Sequence, residues 1–233
     1  MLRTIVGAAI VLLITLILGA LVLLAGLFDP SGRSSFAVVR LWARLALRMA
    51  GVRVVVTGAE NTPAGPAIYA ANHGSALDIP ILFGHMPVEF RVIHKRSLYL
   101  VPIVGSSLYF GGHIAIDRGR AFRARRSLEA AADRIRGGTS VAVFPEGTRS
   151  PDEEVRLFKR GSFVLALNAG VPVVPVSLVG VKRVIPRGLL TLRPGRVVVR
   201  IHPAVATAGR SPAEAEAMAE QVRGIVVRGC EEA

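Results

Sequence analysis

The chain has 233 residues, room for one globular domain with a good core and an appended segment. Its 29 basic against 16 acidic side chains leave a formal net charge of +13, which calls for an anionic partner: nucleic acid, phospholipid head groups or a phosphorylated substrate. The one cysteine, Cys230, excludes an internal disulfide and any cysteine-rich zinc site, so the core is expected in a reducing compartment, and no motif calls for a metal or another cofactor.

Residues 4–28 are 25 consecutive uncharged positions. As a helix at about 1.5 Å per residue they would reach about 37 Å, against a hydrocarbon core of about 30 Å, so a membrane helix is expected. A cleaved signal peptide would have a shorter apolar core. Gly19 and Gly26 would permit a bend, which leaves open whether the helix crosses the bilayer or enters one leaflet. After the turn at Asp29-Pro30-Ser31-Gly32, residues 35–50 carry Arg40, Arg44 and Arg48 four apart, with Val38, Leu41, Leu45 and Met49 on another face. This pattern predicts an amphipathic helix whose basic stripe lies on an anionic phospholipid membrane. The arginines that follow the apolar run outnumber the single Arg3 before it, so the rest of the chain is expected on the cytoplasmic face of the inner membrane. Residues 1–50 are therefore read as membrane-associated helices, and residues 51–233 as the globular domain.

In that domain strand and helix patterns alternate. Strands are predicted over 52–56, 67–71, 91–94, 113–117, 141–144, 173–179 and 197–202, and helices over 79–86, 122–136, 162–168 and 212–227. Strands separated by helices define an α/β class with a mostly parallel sheet flanked by helices.

The stretch Asn72-His73-Gly74-Ser75-Ala76-Leu77-Asp78-Ile79-Pro80 sits between a strand pattern and a helix pattern. Positions 73 and 78 would be roughly 17 Å apart in a strand and about 140° apart around a helix, so only a turn brings their side chains together. Gly74 and Ser75 supply one, and Ser75 or Asp78 could cap the helix that opens near Pro80. Asp78 folded onto one imidazole nitrogen of His73 would fix its tautomer and leave the other nitrogen as a general base. No serine or cysteine nucleophile stands at a matching place, so the base is expected to activate a hydroxyl of the substrate. Two further loops follow strands and carry arginine: Gly112 through Arg118, and Phe144-Pro145-Glu146-Gly147-Thr148-Arg149. Ligands of open α/β sheets gather at the carboxyl ends of strands, where an arginine fork and the Gly147 N–H suit a phosphate monoester. Glu146 either holds an arginine or accepts from a substrate hydroxyl.

Asn72-His73 with Asp78, Gly112–Arg118, Phe144–Arg149 and Val171-Pro172-Val173-Val174-Pro175-Val176 resemble, in order, the four motif blocks of the 1-acylglycerol-3-phosphate acyltransferases. The resemblance covers about residues 50–205 and extends to the N-terminal helices, which look like those of a bacterial member. It implies His73 and Asp78 as the catalytic pair. It also implies that Arg118, Glu146, Gly147 and Arg149 bind the lysophosphatidic acid head group, together with Asn72 and Thr148 inside the motifs, and that Pro175 shapes the site. Lys95 and Lys159 look like accessory basic positions. The implied reaction moves a fatty acyl group from acyl-ACP or acyl-CoA to the 2-hydroxyl of lysophosphatidic acid and makes phosphatidic acid.

Two other readings start from the same residues. The acceptor could be another lyso-lipid, such as lyso-ornithine lipid or a lysophospholipid. A membrane-tethered nucleic-acid-binding protein could use Arg118, Arg120, Arg123, Arg125 and Arg126, but Phe122 is the only aromatic in that run to stack a base, so no nucleic acid partner is expected.

Overall fold

A computed structural model describes residues 2–101, 103–117, 121–150, 154–184 and 193–232, giving the backbone alone for residues 2–13 and 121–125. Seven strands form its sheet: β1 Val52–Thr57, β2 Ile68–Ala71, β3 Arg91–Lys95, β4 Ile114–Ile116, β5 Val141–Val143, β6 Val173–Val179 and β7 Gly195–Ile201. Their spatial order is β1-β7-β6-β2-β5-β3-β4, and every pairing is parallel except β6 with β7. The helices are α1 Leu2–Phe28, α2 Arg33–Met49, α3 Asp78–His85, α4 Val104–Phe110, α5 Ala121–Arg136, α6 Gly161–Ala169, α7 Val181–Val184 and α8 Ala215–Glu231. The expected α/β class with a mostly parallel sheet is the observed one.

The short central strands read as continuous apolar runs because both of their faces are covered. All four residues of β2 are buried, and their alternation divides the core in two. Ile68 and Ala70 join Val141, Val143 and Val173 under Ile135 of α5, Phe163 of α6 and Met218 of α8. Tyr69 and Ala71 join Val174 and Val176 under Phe36, Ala43 and Leu47 of α2 and Ile81 and Leu82 of α3. Each large side chain withdrawn from water in these layers contributes about 1.5–3 kcal/mol before entropy is counted.

Of the three arginines of the expected basic stripe on α2, Arg48 is exposed, while Arg40 and Arg44 also reach the end of α3. Arg40 donates to the carbonyls of Phe83 (3.2 Å) and Val88 (3.2 Å) and also to that of Met86, while Arg44 donates to Gly84 O at 2.7 Å. These carbonyls belong to the last turn of α3 and the chain just beyond it, where helix geometry leaves acceptors without partners and the dipole is negative. Leu41, Leu45 and Met49 are left exposed, at 49%, 36% and 43%. The exposed side of α2 therefore carries these apolar residues together with Arg48, while Phe36, Ala43 and Leu47 pack on the core.

Residues 4–28, expected as a membrane helix, fall within α1, which packs on α2 and α4. Among the described residues no helix is long and apolar enough to cross a membrane. Toward the end of α1, Leu16, Ile17, Leu21, Leu24, Leu27 and Phe28 are exposed. The α1–α2 turn is tied to the sheet by Arg91, buried at the start of β3, which donates to Ser31 O (2.9 Å) and pairs with Glu89 at 2.6 Å.

Candidate active site

The register between β2 and β5 brings the site together. Ile68 faces Val141, Tyr69 faces Ala142 and Ala70 faces Val143, an offset of 73 residues. That offset continues past the strand ends, so His73 emerges beside Glu146 and its backbone N–H donates to Glu146 Oε1 at 2.9 Å. The His73 carbonyl accepts from the Ser150 N–H at 2.7 Å. Phe144, the first residue after β5, stacks under the imidazole with centroids 4.1 Å apart and planes 20° from parallel. The ring plane of His73 is thus set by the neighbouring strand.

The turn after His73 closes as the spacing predicts. His73 Nδ1 donates to Asp78 Oδ2 at 2.8 Å, and the same oxygen accepts the N–H groups of Gly74 (2.8 Å) and Ser75 (2.9 Å). The two backbone groups can only donate, so they demand an acceptor at that point, and an ionised carboxylate accepts from all three at once. Asp78 opens α3, where the positive end of the helix dipole favours its charge. With Nδ1 as the donor, neutral His73 keeps its lone pair on Nε2. The Asp78 side chain is 1% exposed and that of His73 15%, which leaves the imidazole reachable and its partner sealed. Helix α3 has Leu77 as its N-cap without a side-chain bond, so Asp78 holds the turn in place of capping, while Ser75 Oγ accepts from the Leu77 N–H at 3.2 Å.

The other residues singled out in the sequence fall into three groups. Asn72 and Pro175 are part of the frame: the Asn72 amide donates to Leu178 O (3.1 Å) and accepts from Leu178 N (2.8 Å), which clamps the end of β2 to β6, and Pro175 is buried inside β6. Gly147, Thr148 and Arg149 form an exposed loop in which Gly147 has φ 78°. A side chain at 147 would put its Cβ 2.9 Å from Lys159 Nζ, so the absence of one lets this ammonium lie over the loop. Lys95 is exposed on β3. Arg118 and Arg120 lie outside the described residues, as do the side chains of Phe122, Arg123 and Arg125.

Glu146 is 3% exposed, and burial pushes its carboxyl above the usual range, an effect opposed by the hydrogen bond from the His73 N–H. It works here as a strut behind the histidine. Phe144 and Lys182 take part in the site although the sequence did not single them out. Phe144 stands inside a recognised motif, whereas Lys182 carries no local pattern at all.

Two cavities flank the 73–78 turn. One is a polar cleft of about 110 Å³ lined by His73, Asp78, Glu146, Gly180 and Lys182 among others. The second is an apolar groove of about 460 Å³ between α1, α2, α3 and α4, lined by Leu18, Val22, Trp42, Leu77, Phe83 and Ile103. Ala76 and Leu77 wall the groove while His73, Gly74 and Asp78 wall the cleft, so one turn of six residues separates an apolar space from the histidine.

An α/β layer with a histidine–aspartate pair at a strand end and a basic loop beside it has the residue types for acid–base chemistry on an anionic substrate. Residues 53–179 match the Acyltransferase family model, and the chain belongs to that family. It is 39% identical over 198 residues to a 1-acyl-sn-glycerol-3-phosphate acyltransferase of Chlamydomonas reinhardtii, covering 83% of this chain and 58% of that protein. A Borreliella burgdorferi enzyme of the same name is 31% identical, covering 85% of this chain and 80% of its own length. The crystal structure of the 1-acyl-sn-glycerophosphate (LPA) acyltransferase PlsC from Thermotoga maritima matches with a TM-score of 0.78 and 32% identity, over 99% of this chain and 97% of that one.

Proposed function

We propose that this protein transfers a fatty acyl group from an acyl-ACP or acyl-CoA thioester to the 2-hydroxyl of 1-acylglycerol 3-phosphate, forming phosphatidic acid. The single observation that carries the chemistry is the 2.8 Å contact of His73 Nδ1 with an Asp78 oxygen that two backbone N–H groups also hold. His73 Nε2 takes the hydroxyl proton as the oxygen attacks the thioester carbonyl carbon. Collapse of the tetrahedral intermediate breaks the C–S bond, and the proton passes from His73 to the departing thiolate. The transfer is direct and needs no acyl-enzyme. The names of the relatives support the choice of acceptor, and the exposed Gly147–Arg149 loop with Lys159 supports a phosphorylated one. Arg118 belongs to the same head-group set.

The apolar groove takes the fatty chain, and the 73–78 turn that walls both cavities places the reacting carbonyl at the base. The exposed leucines of α1 and α2 rest in the apolar layer of the membrane on its cytoplasmic side, so that a lipid acceptor reaches the cleft without crossing water. The deciding experiment supplies purified protein in vesicles with labelled acyl-ACP or acyl-CoA and, separately, lysophosphatidic acid, lyso-ornithine lipid or lysophosphatidylcholine, with mass analysis of the product. Phosphatidic acid from the first acceptor is the expected result. Transfer to either of the others in preference to it overturns the acceptor assignment. Removal of residues 2–28 should release the protein from vesicles and cut turnover of long-chain acceptors, because Leu18 and Val22 of α1 line the groove.

A further inference from the structure

Lys182 follows β6 and Gly180 on the short helix α7, and its side chain returns over the catalytic turn. A Cβ placed on Gly74 would lie 3.1 Å from Lys182 Cε and 3.9 Å from Nζ, so the bare glycine next to His73 makes room for this side chain. Nζ is sealed from solvent and receives no hydrogen-bond partner among the described residues. An ammonium group has three donors and no acceptor capacity, and leaving it buried and unpaired opposes folding. The fold sustains that cost at one wall of the cleft that also holds His73, Asp78 and Glu146. Arg149, Lys95 and Lys159 are all exposed, and none of them lines that cleft; Lys182 and Arg183 are the basic residues among its described lining.

The acceptor supplies the missing anion. Its reacting hydroxyl and its phosphate stand on neighbouring carbons, so a base that holds the one requires a cation close by for the other. We infer that Lys182 receives the acceptor phosphate, its Nζ donating to a non-ester oxygen while the 2-hydroxyl rests on His73. This assignment rests on the acyltransferase reading above. It places the exposed arginine loop at the outer side of the head group and Lys182 at the inner side. It also gives the cleft a means to prefer phosphate monoesters, because a neutral acceptor would leave the ammonium unpaired.

The test compares Lys182→Met, which keeps the stem and removes the charge, with Lys182→Arg, which keeps the charge. Lys182→Met should raise the apparent KM for lysophosphatidic acid about tenfold or more, the size expected of a lost charged hydrogen bond, with kcat and the donor KM within about twofold of wild type. The preference for lysophosphatidic acid over 1-monoacylglycerol, which has no phosphate, should fall about tenfold or more, and Lys182→Arg should recover most of the KM. Inorganic phosphate followed by calorimetric titration should bind wild type and fail to bind Lys182→Met. Thermal melting should show the variant no less stable than wild type, since an unpaired buried charge has been removed. An unchanged KM overturns the assignment, and so does an equal fall in kcat for both acceptors, which would place the ammonium on the thioester oxyanion. If wild type fails to acylate lysophosphatidic acid yet loses phosphate binding on Lys182→Met, the reaction assigned above falls and the cation site stands.

Discussion

The His73–Asp78 corner and the Gly147–Arg149 loop leave the sheet at adjacent strand ends and differ in how they are held. In the corner, one carboxylate oxygen gathers three donors within 2.9 Å, the imidazole is stacked on Phe144, and Asp78 is 1% exposed. In the loop, Gly147, Thr148 and Arg149 are all exposed. The difference suits the tasks proposed for them. A general base acts through geometry within a fraction of an ångström and profits from being locked before substrate arrives, whereas a phosphate clamp carries its charge whatever its conformation and must admit a ligand. Glu146 joins the two, since it begins the loop in sequence yet its oxygen fixes the backbone of His73.

The largest expected effect breaks the corner. His73→Ala should lower turnover by about 10²–10⁴-fold while lysophosphatidic acid still binds, because the interaction lost belongs to the transition state. Asp78→Asn should approach the same defect, since it removes the charge that orients the Nδ1 proton. Steady-state kinetics beside equilibrium binding checks both, and near-normal turnover in His73→Ala would end the contrast between a catalytic corner and a binding loop.

Arg149→Lys tests the loop. The charge stays and the planar fork goes, so the apparent KM for the phosphorylated acceptor should rise by up to about tenfold, a modest figure because the side chain is exposed and screened. Donor dependence should stay put; a change in the donor KM alone would move Arg149 from the phosphate to the thioester.

Glu146→Gln gives the smallest and most diagnostic effect. Gln keeps an acceptor for the His73 N–H, so kcat should remain close to wild type. Burial holds the Glu146 pKa above its ordinary value. For a raised carboxyl the stabilising contribution is present below the unfolded pKa and is lost as pH rises through the folded one, so ionised Glu146 is a burden at neutral pH. Denaturant melts should therefore find Glu146→Gln at least as stable as wild type at pH 7, with the gap closing as pH falls below the ordinary glutamate range. A rise in acceptor KM without a change in stability would instead make Glu146 a ligand-binding group.

Much of the scaffold was legible because period and punctuation are local. The run at 173–179 is β6 to the residue, the pattern at 122–136 is α5 less one residue, and the helix expected at 162–168 ends before Gly170, whose φ of 68° suits a glycine. The 73–78 turn was legible for the same reason: a separation of five residues brings two side chains together through a turn and through nothing else nearby. The segment 96–110, with its short 3-10 stretch and α4, carried no clear period and was not anticipated.

The sequence by itself determined which residues are apolar, where the chain must turn, and that a histidine and an aspartate share one turn. Tertiary structure decided what those residues face. Arg40 and Arg44 read as part of a surface stripe because helical spacing reports which side chains share a face, but not what lies beside that face; the carbonyl-rich end of α3 lies there and accepts from both, while Arg48 one turn on stays exposed. Glu146 reached His73 through a strand register that spans 73 residues. Lys182 entered the cleft from still farther along the chain, because β6 lies beside β2 in the sheet. Contacts of that kind depend on which strands become neighbours, a choice made by burial summed over the whole core and not by any local pattern.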